Sequence, residues 1–241
     1  MGLGDRVVGV TTFCHYPTAA TKLPKIGTYL KPDLEAILAL RPDLVLVEKN
    51  PLGLTAKLQS LGLTVREVEA QRMETLPASI DSIAEAAGVS PAALHAKMAR
   101  DFESVRAKVG ARRTRVMFVV GRNPGSLTGL MVAGRGSYVG ALLERAGGVN
   151  VFANAASSYP SVSLEEIIAR QPDVILDMGE MAETTGVTEA QKKAVEALWR
   201  RQPVIRARIH AVANDIFVVP GPRAPEAVRE FARLFHPGLG L

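Results

Sequence analysis

Hydrophobic positions along the chain follow two alternating periods. Short runs rich in β-branched residues, bounded by Gly, Pro or Asp, recur at 6–12, 43–47, 63–68, 115–120, 173–177 and 216–219. Each run predicts a strand. Between them, apolar residues recur at helical spacing, as in Leu34, Ile37 and Leu38, or Val228, Phe231 and Phe235. Such βαβα alternation predicts parallel sheets covered by helices, an α/β fold.

One stretch occurs twice. Leu34-Glu-Ala-Ile-Leu-Ala-Leu-Arg-Pro-Asp-Leu-Val-Leu-Val47 is echoed 130 residues later by Leu164-Glu-Glu-Ile-Ile-Ala-Arg-Gln-Pro-Asp-Val-Ile-Leu-Asp177, with seven of fourteen positions identical. Each copy reads as a helix stopped before a Pro-Asp turn that feeds a buried strand. Two copies at so long a spacing predict two similar lobes rather than a solenoid.

Between the copies, Ser90-Pro91 reads as an N-cap followed by proline at the first helical position. An unbroken helical run then reaches Gly110, a C-terminal stop. The expected organisation is an N-terminal lobe over 1–89, a connecting helix over 90–111 and a C-terminal lobe over 112–241. A stiff connection of this kind predicts limited hinge closure.

Composition narrows the function. The chain has 241 residues, 47% hydrophobic and 22% charged, and its longest apolar runs fall far short of the roughly 20 residues of a membrane helix. The net charge of +5 is scattered and aromatic residues are only 5%, which argues against nucleic-acid binding. A single cysteine, Cys14, excludes an internal disulfide and a multi-cysteine metal site. His95, His210 and His236 show no ligand spacing, so a bare metal-ion cage is not expected. Nor is there a Walker loop, a full dinucleotide fingerprint or a nucleophile–base pair, so no enzyme activity is expected. The stretch Gly134-Arg-Gly136-Ser-Tyr-Val-Gly140 lacks the lysine and spacing of a phosphate loop, and reads as a helix start capped by Ser137. The opening residues carry no basic start or apolar h-region of a signal peptide.

Gly2-Leu-Gly-Asp-Arg-Val-Val-Gly-Val10, Tyr16-Pro17, Lys22-Leu-Pro-Lys-Ile-Gly27, the doubled helix–Pro-Asp–strand unit, Ala146-Gly-Gly-Val-Asn-Val151, Trp199 and Gly221-Pro-Arg223 together resemble the helical-backbone class of ABC-transporter solute-binding proteins. That class includes vitamin-B12, ferric-siderophore and haem binders. The resemblance implies two Rossmann-like lobes with mainly parallel sheets, one long connecting helix and a ligand groove between the lobes. Against the class, the match begins after the first strand and helix, so a first lobe lacking those elements is expected. The resemblance further implies an extracytoplasmic, monomeric protein with no intrinsic cofactor, whose cargo is cobalamin or another metal chelate. Its partners would be the membrane permease and ATPase, with one exposed glutamate per lobe, Glu35 and Glu165, docking on permease arginines. An acid in a first helical turn is also favoured by the helix dipole, and both readings of these glutamates stand together.

Ligands of open α/β sheets bind beyond the carboxyl ends of strands, so the loops there supply candidates. Tyr29 and Tyr159 each precede a repeat glutamate by six residues, placing an aromatic at matching sites of the two lobes. A flat corrin or porphyrin gains from such rigid surfaces; packing at a lobe edge is the plainer alternative. By resemblance, Tyr16, Tyr29, Tyr159, Asp215 and Phe217 fall where cobalamin binders contact ligand. Cys14 and His15 are candidate axial ligands to cobalt or iron, or else loop residues with no metal role. Arg122 and Asn123 suit an anionic or amide-bearing chelate, with a solvated turn as the alternative. Arg223 suits the same ligand or caps a helix. Trp199, on a helical stretch ending at Pro203, is expected in the core. The readings beside a cobalamin importer subunit are a siderophore or haem receptor of the same class, and a cytosolic chelate-binding sensor or chaperone.

Overall fold

The computed structural model describes residues 1–49, 52–179 and 187–241. The chain divides into two compact units, Met1–Ala70 with Pro77–Leu94, and Gln71–Leu76 with His95–Leu241. Among the described residues, no helix is long and apolar enough to cross a membrane.

In the first unit, the strands β1 (Val45–Glu48) and β2 (Val65–Val68) pair in parallel, with Val45 opposite Val65. The short helices α1 (Leu34–Ala39) and α2 (Leu54–Ser60) precede them in turn, and α3 (Leu76–Ala87) follows. Asp33 caps α1, its carboxylate accepting from the Ala36 N–H at 3.0 Å. Ile37, Val47 and Leu58 form the buried centre, with Ile26, Leu34, Leu54 and Val65 packed around them. Burying a side chain such as Leu58 contributes about 1.5–3 kcal/mol.

The run at 6–12, expected as a strand, joins no ladder; its one bridge is Val10 to Lys25. Val7, Val8 and Gly9 form part of the wall of an open cavity of about 510 Å³, and Leu44, Val45 and Leu46 form another part. The two stretches share no ladder among the described residues, and a strand exists only through such pairing. No candidate ligand residue lines this cavity.

The helix α4 (Ala92–Val109) has 18 residues, about 27 Å at 1.5 Å rise. Its start is marked by the Ala92 N–H donating to Ser90 Oγ at 3.3 Å, and Gly110, just beyond its end, has φ 58°. Met98, Val105 and Val109 are its buried face. The last of the boundaries between the units falls between Leu94 and His95, inside this helix.

The sheet of the second unit runs β6–β4–β3–β7–β8, with β5 also on β3. Its strands are β3 (Thr114–Gly121), β4 (Leu130–Val132), β5 (Gly148–Asn150), β6 (Ser161–Val162), β7 (Val174–Asp177) and β8 (Arg208–Ala211). The β3–β5, β3–β7 and β7–β8 pairs are parallel, while the β3–β4 and β4–β6 pairs are antiparallel. The helices α5 (Tyr138–Arg145), α6 (Leu164–Arg170), α7 (Glu189–Arg200) and α8 (Ala224–Phe235) accompany it.

Strand β3 is buried on both faces, which is why its sequence is continuously apolar. Met117 and Val119 join a cluster with Ile167, Ile175 and Trp199. Phe118, on the opposite face, meets the edges of Phe217 and Phe231, while Phe217 stacks on Phe231 at 4.5 Å and Phe231 on Phe235 at 5.8 Å. Ser137 caps α5 as expected, accepting from the Gly140 N–H at 3.0 Å.

The run at 216–219 departs from expectation. Asp215–Phe217 is a 3-10 turn, capped by Asn214 accepting from the Ile216 N–H at 3.1 Å. Ile216 and Phe217 are both buried although adjacent, which the alternating faces of a strand with one side exposed would not allow.

Candidate ligand-binding site

The four candidates of the first unit lie on two turns. Cys14 is half-buried, with its sulfur 3.1 Å from Thr11 Oγ1, while His15 is exposed. Tyr16 follows with 59% of its surface exposed, on a cis peptide bond to Pro17. Tyr29 sits at the tip of a tight turn in which the Thr28 N–H donates to the Lys31 carbonyl at 3.0 Å, and is 40% exposed beside Leu30 at 72%. Gly27 makes this turn possible: its φ is 83°, and a Cβ there would lie 2.5 Å from the Lys31 carbonyl oxygen.

In the second unit, Tyr159 stands on a segment held to the end of β4, where the Gly134 N–H donates to the Ser158 carbonyl and that of Val132 to the Pro160 carbonyl. It is 44% exposed, and desolvation pushes its phenol pKa up. Large apolar or aromatic groups left this open are the surfaces a flat ligand covers.

Arg122 is placed differently from the anion-facing role expected of it. Its side chain and that of Asp177 have no exposed surface, and Arg122 Nε donates to Asp177 Oδ2 at 2.9 Å. The same oxygen accepts from Trp199 Nε1 at 2.6 Å, and Oδ1 accepts from the Gly179 N–H at 2.8 Å. Trp199 is therefore in the core, as its helical context predicted. Asn123 is exposed, in a turn where its amide nitrogen donates to Thr128 Oγ1 at 3.0 Å.

Asp215 and Arg223 are brought together in a two-pronged ion pair, with N–O distances of 3.0 and 2.8 Å. Phe217 retains only 5% exposure and stacks in the aromatic cluster against α8, so its ring serves the core. Close to this end of α8, burial pushes the Tyr138 phenol up to about 12.

Glu35 and Glu165 occupy the same place in α1 and α6, both exposed in the first turn. The Glu165 carboxyl is held below its usual range by its own backbone N–H and the Ser163 hydroxyl. Among the described residues, no group of three or more His, Cys, Asp or Glu could hold a metal ion.

Asp177 was the residue that the candidate set lacked. Its signal was in the repeat, where Asp177 aligns with Val47, a carboxylate at the end of a buried strand where the first copy is apolar.

A family model described as periplasmic binding protein matches residues 1–222. The chain belongs to this periplasmic binding protein family. It is 33% identical to the vitamin B12-binding protein of Salmonella typhimurium over 188 residues, 75% of this chain and 68% of that one. The vitamin B12-binding protein of Vibrio parahaemolyticus is 28% identical over 98% of this chain and 83% of its own length. Among solved structures, a periplasmic heme-binding protein from Roseiflexus sp. RS-1 matches with a TM-score of 0.76 and 26% identity, covering 98% of this chain and 91% of that chain.

Proposed function

We propose that the chain is the substrate-binding component of an ABC importer, holding a cobalamin-like ligand outside the cytoplasm for a membrane permease and doing no chemistry on it. The observation that carries the cargo is the 33% identity to a vitamin B12-binding protein across three quarters of the chain. The exposed rings of Tyr16, Tyr29 and Tyr159 suit a corrin, whose large apolar faces gain from rigid aromatic contact. In this reading Asn123 supplies amide hydrogen bonds, and Glu35 and Glu165 meet the permease.

Haem is the second reading, favoured by the likeness to the Roseiflexus heme-binding protein. Cys14 and His15, on their first-unit turn, offer axial donors that iron would accept.

Titration with cyanocobalamin, haemin and a ferric siderophore, followed by absorbance and tryptophan emission, separates the readings. Micromolar or tighter binding of cyanocobalamin with weaker haemin is the expected result. Binding of none below about 1 mM, alongside tight binding of a nucleotide, would overturn the importer reading.

A further inference from the structure

We infer that Asp177 is a positioning residue: through Arg122 and Trp199 it fixes the turn that follows β3 and carries Asn123. The inference rests on the ligand-binding reading for its functional meaning, and on geometry for everything else.

Burying a guanidinium and a carboxylate is not a general route to stability, because well-packed apolar residues of the same volume serve equally well or better. The repeat supplies an internal comparison. In the first copy the last position of the unit is Val47, buried at 5% and closing the same helix–Pro-Asp–strand element without a charge. A carboxylate at this position is thus not demanded by the element. What the second copy gains is a connection that valine cannot make.

That connection can be followed atom by atom. The indole of α7 donates to Asp177 at the end of β7, which also accepts from Arg122 just beyond β3. Arg122 Nη1 then donates to the carbonyls of Asn123 at 3.3 Å and Ser126 at 3.1 Å, both in the turn. Within the turn, the Asn123 N–H donates to the Thr128 carbonyl at 2.9 Å. Gly179 lets the backbone close over the pair, since a Cβ there would lie 2.6 Å from Arg122 Cγ. Three elements and one turn therefore share a single buried carboxylate. The turn lies beyond the carboxyl end of β3, the end at which open α/β sheets take ligands.

The test is apolar replacement of the whole cluster, Arg122→Met with Asp177→Val and Trp199→Phe, so that no buried donor is left facing the lost carboxylate from a side chain. Amide hydrogen exchange at Asn123 and Ser126 should quicken at least tenfold while protection in β3 and β7 holds, and cyanocobalamin affinity should fall at least tenfold. A purely structural cluster would instead change exchange throughout the unit. Unchanged exchange at Asn123 and Ser126, or exchange raised uniformly, overturns the inference. So does unchanged cyanocobalamin affinity in a protein whose parent binds it. Failure of the parent to bind would count against the cargo alone, because the exchange result still decides the positioning role. Should the triple variant not fold, Arg122→Lys carries the test. It keeps a charge opposite Asp177, yet one ammonium cannot span the carboxylate and both carbonyls, so exchange in the turn should still quicken at least threefold. No change in this variant would sink the inference equally.

Discussion

Arg41 and Gln171 adopt the same backbone conformation at equivalent places of the repeat, with φ of 47° and 44°. Among the described residues they are the only non-glycine positions with positive φ. Arg41 lies two residues beyond the end of α1 and Gln171 directly after α6, and each directly precedes a proline, which disfavours a further right-handed residue. The left-handed turn halts α1 and α6 and redirects the chain into β1 and β7.

An L side chain in this region costs about 1–2 kcal/mol, and glycine returns part of that gain through unfolded-chain entropy of about 0.4–1 kcal/mol. Gln171→Gly should therefore raise stability by about 0.5 kcal/mol. Gln171→Val, β-branched where φ is positive, should lower it by at least about 1 kcal/mol. Urea unfolding of the two variants measures both, and equal stability of Val and Gly at this site would contradict the account.

Tyr29→Ala and Tyr159→Ala should each weaken cobalamin binding about tenfold, roughly 1.4 kcal/mol, for loss of one aromatic surface. Both rings are substantially exposed, so melting temperature should change by no more than a few degrees. Isothermal titration calorimetry reads the affinity; an unaltered Kd in both variants would remove these tyrosines from the ligand surface.

Charge reversal of Glu35 and Glu165 together to arginine should abolish stimulation of a cognate transporter ATPase and leave the ligand Kd unchanged. Both carboxylates are exposed at first-turn positions, away from the packed cores. Loss of ligand binding in the double variant would contradict their assignment to docking.

Stability should fall as pH drops below about 6.5, the ordinary histidine value. Burial pushes the His236 and His210 pKa values down, and Arg112, Arg208 and Arg113 add to the effect on His236. The unfolded chain then binds protons more readily than the folded one between the lowered and ordinary values. Their contribution is complete above the ordinary value and is lost as pH falls toward the lowered one, at no more than about 1.4 kcal/mol per pH unit for each histidine. Glu48, pushed up mainly by burial, acts in the opposite sense, so its fold contribution grows on acidification. Thermal melts between about pH 7.5 and pH 5.5 (a range of about one unit either side of the histidine value) should show the fall, flattened in His236→Gln. An identical slope in that variant would exclude His236 as a source.

The duplicated unit was legible because helix, stop and strand are all encoded within fourteen neighbouring residues. Strand β3 was legible for the same local reason, an apolar run long enough to lie within a sheet. The run at 6–12 was misleading because β-propensity says what fits a ladder and not whether a partner strand is there. At 216–219 the composition was that of a strand, but Asn214 capped a turn and both Ile216 and Phe217 turned inward. Arg122 exposes the main limit on reading the site. Its partner, Asp177, lies 55 residues away, and no local pattern says that a guanidinium after a strand is already spoken for. Tyr16, Tyr29 and Tyr159 lie outside the helices and ladders and retain open surface, which local sequence shows only as an aromatic among turn-forming residues.

The chain holds a single tryptophan and a single cysteine, and they belong to different units. Trp199 emission, tuned by the carboxylate its indole meets, is a private signal from the second unit. A dye on the half-buried Cys14 thiol would speak for the first unit alone. Energy transfer from one to the other then gives the wild-type sequence its own distance gauge, with no engineered label site required.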